Sequence, residues 1–139
     1  MMRFDIMTLF DEMVKNILSE SIIGRAVKHE KIEINTYNIR DFSTDKHKRV
    51  DDTPYGGGFG MVMACQPIYD CYKHIVDPNN NKCERKHVIY MSPQGKVLTQ
   101  EKAKELVSNY DNLIILCGHY EGVDERILEE IVDEEISFK

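Results

Sequence analysis

Two hydrophobic periods alternate along this chain of 139 residues. Arg3 to Phe10 reads as a strand, and Met13, Val14, Ile17 and Leu18, then Ile22, Ile23, Ala26 and Val27, predict two short amphipathic helices. Ile32 to Ile39 alternates at period two. Ile68, Cys71, Tyr72 and Ile75 stand at i, i+3, i+4 and i+7, with Pro67 acceptable in the first helical turn. Asp77 to Lys86 contains Pro-Asn-Asn-Asn and predicts a polar loop, the natural place for length variation. His87 to Met91 reads as a strand, and Thr99 is suited to cap a helix carrying Ala103, Leu106, Val107 and Tyr110 on one face. Asn112 to Cys117 contains Leu-Ile-Ile-Leu, a continuous apolar run of the kind found in central parallel strands. A helix from about Val123 to Val132 and a short strand from Glu135 to Phe138 complete the pattern. This β-α-β-α order predicts one α/β domain, with a mostly parallel sheet covered by helices on both faces.

Between Arg40 and Gly60 no apolar period is found, and the stretch ends in Asp51-Asp52-Thr53-Pro54-Tyr55-Gly56-Gly57-Gly58-Phe59-Gly60. Four glycines in five residues suit neither helix nor strand, because glycine loses the most entropy on ordering and brings no side chain to pack. Long loops inside compact domains are usually functional or disordered. The glycines leave room for something large and flat, and the flanking Arg49, Asp51, Asp52 and Tyr55 supply the chemistry.

Ligands of open α/β sheets bind beyond the carboxyl ends of strands. Two such ends carry unusual sequences: Ser92-Pro93-Gln94-Gly95 after His87 to Met91, and Gly118-His119-Tyr120-Glu121-Gly122 after Asn112 to Cys117. If those strands are neighbours, the two loops form one crevice. Each piece alone also has a plain reading. Ser-Pro-Gln-Gly makes ordinary turns, the glycines bracket helix starts, and Asp124, Glu125 and Arg126 suit a first helical turn. Placement at two strand ends is what raises the pair above that. Gly58 to Met63 lacks the third glycine of G-x-G-x-x-G and follows a polar loop, and no G-x-x-x-x-G-K-[ST] occurs. No G-x-S-x-G or Cys/His arrangement suggests nucleophilic catalysis.

Composition is ordinary for a globular chain, 42% hydrophobic and 30% charged, with net charge −6. That sum argues against a surface that coats nucleic acid. The distribution is uneven: residues 101–139 hold eleven acidic and four basic side chains, the first hundred thirteen and fourteen. Arg40, Lys46, His47, Lys48 and Arg49 cluster before the glycine loop, so contact with phosphate through one patch stays open beside the plain reading of a solvated loop. Cys65, Cys71, Cys83 and Cys117 show no C-x-x-C spacing and read as buried thiols of a cytosolic protein rather than a disulfide or zinc set. The five histidines, His29, His47, His74, His87 and His119, show no metal-ligand spacing. No membrane-length apolar run and no targeting signature are present.

Asp-Asp-Thr-Pro-Tyr-Gly-Gly-Gly-Phe-Gly-Met-Val-Met at 51–63, Ser-Pro-Gln-Gly at 92–95 and Cys-Gly-His-Tyr-Glu-Gly-Val-Asp-Glu-Arg at 117–126 occur in one order, with Gly-Arg-Ala-Val-Lys at 24–28, Arg-Asp-Phe at 40–42 and Asp-Glu-Glu-Ile-Ser at 133–137. Together they resemble the bacterial tRNA (guanine-N1)-methyltransferases, the TrmD type of the SPOUT superfamily. The resemblance implies a trefoil-knotted α/β domain, here 1–139. It implies S-adenosylmethionine as cofactor, a cytoplasmic homodimer with its active site at the subunit interface, and methylation of the guanosine immediately 3′ of the anticodon in tRNA. By matching positions, Tyr90, Met91, Ser92, Pro93, Gln94, Gly95, Gly118, Tyr120 and Glu121 bind the cofactor. Arg49, Asp51, Asp52, Tyr55, Gly56, Gly57 and Gly58 lie at the target base, Glu121 has a supporting catalytic role, and no metal is implied. His119 stands where many members have arginine, a variant also seen in the family.

The family continues past Asp-Glu-Glu-Ile-Ser into a glycine-containing loop that completes knot and cofactor pocket, then a helical tRNA-gripping domain. The carboxylate taken as general base lies there. The expectation is therefore a domain incomplete at its C-terminal end, a fragment with little activity alone. The alternative is a non-catalytic dimerising or inactive module.

Overall fold

The computed structural model describes residues 1–53, 60–119 and 122–137. In chain order it forms β1 (Met2–Thr8), α1 (Asp11–Leu18), α2 (Ser21–Lys28), β2 (Ile32–Asn38), a 3-10 turn (Ile39–Phe42), β3 (Asp51–Asp52), β4 (Val62–Met63), α3 (Cys65–Val76), β5 (Lys86–Val97), α4 (Gln100–Asn109), β6 (Asn112–Cys117), α5 (Glu125–Ile131) and β7 (Glu134–Ser137). Five strands make one sheet in the order β2-β1-β6-β5-β7, and every pair in it is parallel. β3 and β4 form a separate antiparallel ribbon.

The apolar run of β6 is explained by its central place. Strand side chains alternate between faces. Ile114 and Leu116 join Val88 and Tyr90 of β5, and Ile68, Cys71, Ile127 and Ile131 of α3 and α5, in the larger core. Leu113 turns the other way and packs with Ile89, Ile136 and Leu106 of α4. Helices thus cover both faces, as the sequence pattern predicts. Burial pushes the Cys71 thiol up to about 12, so it behaves as a small apolar group.

The structure refines two sequence expectations and corrects a third. The stretch without apolar period is nonetheless pinned: Ile39, read as the end of the period-two segment, instead opens a 3-10 turn capped by Asn38, which accepts from the Arg40 N–H, and both Ile39 and Val50 are buried in the larger core. Asp45 holds the next turn by accepting from the N–H groups of His47 and Arg49. Second, the polar loop after α3 is there as read but carries an anchor, since Asn81 is buried and donates to the Asn112 side chain at 2.9 Å. Third, Val107 is 62% exposed; the inner face of α4 is carried by Leu106, with Tyr110 beside it.

The amino end of the sheet is closed by a polar network. Asp5, fully buried, receives two hydrogen bonds from Arg3 (2.9 and 3.1 Å), one each from Asn35 (3.2 Å) and Tyr37 (2.7 Å) of β2, and one from Asn112 (2.8 Å) of β6. Burial first and the Asp5 carboxylate second drive the Tyr37 phenol upward, so its hydroxyl keeps the proton it donates. Removing one partner of a buried ion pair strands the other charge. Asp5→Ala is expected to cost about 3–5 kcal/mol in urea unfolding, against less than about 0.5 kcal/mol for the exposed Val107→Ala. Equal losses at the two positions would show that the network carries no special weight.

Candidate functional site

In β5 and β6 the register sets Met91 opposite Cys117, so both strands reach their carboxyl ends at one level. Beyond Met91 the chain departs from the expected turn. β5 does not stop there: Met91 and Lys96 both pair with Ile136 of β7, and residues 92–95 leave the ladder as a wide bulge. Gly95 lets the chain return. A β-carbon there would stand 2.6 Å from the backbone of Glu135 and Ile136, closer than packed atoms approach. The motif residues therefore divide their labour: Gly95 seats the bulge against β7, while Ser92, Pro93 and Gln94 face a cavity.

That cavity, of about 490 Å³, is lined by Tyr90, Met91, Ser92, Pro93 and Gln94 on one side and Gly118, His119, Gly122 and Val123 on the other. Glu125 and Leu128 of α5 and Glu135 of β7 complete it. The two strand-end sequences do wall one crevice. Gly118 is required by close approach: its β-carbon would come within 2.9 Å of the Tyr90 hydroxyl. Gly122 adopts φ +133°, a conformation that L side chains rarely take. Tyr90 is buried, and burial, then Glu135 and Glu125, raise its phenol above the ordinary range, which keeps it a donor. Tyr120 and Glu121 lie outside the described residues.

The same loop is stitched to the base of the glycine segment. Met63 forms a parallel bridge with Val123; its N–H donates to Gly122 O at 3.0 Å, and Asp124 N–H donates to Met63 O at 3.1 Å. β4 pairs in turn with β3, which carries Asp51 and Asp52, and Val50 O accepts from Ala64 N–H at 2.7 Å. Arg49 is exposed at the entrance to this ribbon. The structure thus ties the flanks of the glycine loop to a wall of the cavity, while Tyr55, Gly56, Gly57 and Gly58 lie outside the described residues. Sequence reading placed His119 and Gly122 in the crevice loop without naming them as binding residues, and it did not single out Val123, Glu125, Leu128 or Glu135. Glu125 and Leu128 of α5 and Glu135 of β7 enter only through packing; the amphipathic face of α5 was a signal for Leu128 alone, and nothing local pointed to Glu135.

Asp124 locks the start of α5. Its buried carboxylate accepts from Arg126 N–H, Nε and Nη2 at 3.0, 3.0 and 2.6 Å. The Arg126 guanidinium, opposed in part by burial, holds this carboxyl well below the usual range, at about 2. Among the described residues no three His, Cys, Asp or Glu side chains converge as a metal ion would need. No described helix is long and apolar enough to cross a membrane.

A family model described as tRNA (Guanine-1)-methyltransferase TrmD matches residues 2–139. A tRNA (guanine-N(1)-)-methyltransferase of Ruminiclostridium cellulolyticum is 62% identical over 136 residues, 98% of this chain and 57% of that protein. One from Clostridioides difficile is 56% identical, over 98% of this chain and 58% of that protein. The crystal structure of tRNA (m1G37) methyltransferase from Aquifex aeolicus superposes with a TM-score of 0.84 at 36% identity, covering 99% of this chain and 60% of that one. The chain spans somewhat over half the length of the curated relatives it matches.

Because Asp124 is depressed from 3.8 to about 2, its contribution to stability is complete above the ordinary value and is lost as pH falls between the two. The urea midpoint of wild type should exceed that of Asp124→Asn near neutrality, and the gap should narrow as pH drops from about 5 to about 2. A gap that stays constant across that range would contradict the Asp124–Arg126 coupling.

Proposed function

This chain belongs to the tRNA (guanine-1)-methyltransferase family of TrmD type, and from that premise we propose that it forms the donor-binding part of an enzyme methylating N1 of guanosine 37 in tRNA with S-adenosylmethionine. The observation that carries the reading is the single cavity between the 92–95 bulge and the loop after β6. Its volume, about 490 Å³, falls in the range of small-molecule sites. It also has the layout of a nucleoside cradle. Residues 92–95 have no register partner in β7, and Gln94 N–H donates to the Ser92 hydroxyl at 3.2 Å. Apolar Val123 and Leu128 offer a flat wall.

When bound, S-adenosylmethionine supplies a methyl carbon already activated by its sulfonium. The protein's own tasks are to hold the reactants and to tune the base. Guanine N1 carries a proton at neutral pH and is a poor nucleophile until that proton is taken. Held in line at roughly 3–3.5 Å, N1 and the methyl carbon react with most of the entropy cost already met. Tyr90, Met91, Ser92, Pro93, Gln94, Gly118 and Tyr120 bind the donor, and Gly95 keeps the bulge in shape. Arg49, Asp51, Asp52, Tyr55 and the glycines 56–58 receive the target guanosine, a single-stranded loop base of the kind proteins read most readily. Glu121 supports the reaction. The stitch from Met63 to Val123 holds the two half-sites in register.

A homodimer in the cytoplasm completes the proposal. Phe10, just before α1, and Met13 and Ile17 on it are 49%, 56% and 64% exposed, and Phe10 meets His119 of the cavity wall edge-on with ring centroids 5.3 Å apart. An apolar stripe that begins at the cavity rim suits a second copy packing there.

Gly118→Val is expected to weaken binding of S-adenosylmethionine at least about tenfold in calorimetry, since the added methyls fill the space beside Tyr90; undiminished affinity would refute the cavity assignment. Met13→Glu with Ile17→Glu should shift sedimentation from dimer to monomer, and an unchanged dimer would remove α1 from the interface. Methyl transfer to a tRNA transcript by the 139-residue chain alone would rule out the inactive-module alternative.

A further inference from the structure

Two carboxylates from different elements face this cavity: Glu125 from the first residue of α5 and Glu135 from the middle of β7. No lysine or arginine lines it among the described residues. The nearby Arg126 guanidinium is engaged by Asp124. Glu135 pairs in register with Tyr90, and both carboxylates act electrostatically on the Tyr90 phenol. The two negative charges therefore bear on the same point of the floor, from β7 and from α5. The remaining ionisable groups among the described lining residues are that phenol and the His119 imidazole.

We propose that Glu125 and Glu135 make the cavity selective for a cationic occupant, so that it discriminates the sulfonium donor from the neutral thioether left after transfer. This rests on the donor-pocket reading above. In the transfer a bond forms from N1 to the methyl carbon as the carbon–sulfur bond breaks. The bonding pair stays on sulfur, and the N1 proton leaves to a base. The ligand thus loses one positive charge inside a cavity walled by two negative ones. Attraction that held the donor no longer holds the product, and release is favoured without any movement of the chain. Both residues are specificity determinants rather than reacting groups.

The test is calorimetric titration of the protein with three ligands at about pH 8, where imidazoles are ordinarily neutral. They are S-adenosylmethionine, sinefungin (which carries an ammonium in place of the sulfonium) and S-adenosylhomocysteine. Glu125→Gln and Glu135→Gln should each weaken the two cationic ligands about three- to tenfold, as expected for one charge acting through partly hydrated space, while the neutral ligand changes less than about twofold. The isosteric amide keeps size and shape, and retained thioether binding shows that each variant is folded. Parallel losses for all three ligands, or none for any, would overturn the inference and leave the donor-pocket reading standing. A wild-type protein that binds none of the three would overturn both.

Discussion

A fully buried carboxylate governs the amino end of this sheet. Asp5 lies in a strand flanked on both sides, where an unpaired charge would be intolerable, and five hydrogen bonds from β1, β2 and β6 surround it. Asn112, one of its donors, also accepts from Asn81, which donates to the last turn of α3 at Ile75 O. Arg3, the partner charge, reaches the following loop at Asn80 O. Three strands, a helix end and a loop therefore share one set of polar contacts. Each of those side chains has only one good place to be, which sets the register of β1 against both neighbours.

With the amino end closed, the apolar middle packs and the carboxyl end is left open around the cavity. The sheet positions that end in two ways. The β5–β6 register brings Met91 level with Cys117. Pairing of β7 with β5 on both sides of residues 92–95 then clamps the bulge at its two feet. A loop held at both ends by strand pairing is more rigid than one that simply ends a strand. The ribbon of β3 and β4 adds a second attachment, through Met63 and Val123, between the cavity and the flanks of the glycine segment.

Much of the fold is legible in the chain. The Leu-Ile-Ile-Leu run of β6 needs two covered faces, and only a central strand supplies them. Glycines 95 and 118 were legible as special, but not for their actual reasons. Gly95 answers to the backbone of β7, 40 residues downstream at Glu135, and Gly118 answers to the hydroxyl of Tyr90 on the neighbouring strand. Asn81, in a stretch that reads as plain polar loop, became a core residue because Asn112 stands across from it. Val107 shows the reverse: its period fits a buried face, yet the helix turns it to solvent.

Local pattern determined the main helices and the strands of the large sheet, because hydrophobic period and capping act within a few residues of each other; the 3-10 turn and the short strands β3 and β4 were not legible in it. It also marked two strand ends by glycine and proline after an apolar run, a signal that ordinary turns share. Only the tertiary structure decided that those ends are neighbours, that the first continues past its bulge, and that Glu125 and Glu135 look into the same space. Those facts depend on strand order, register and packing between residues far apart in the chain, where no short-range period carries the information.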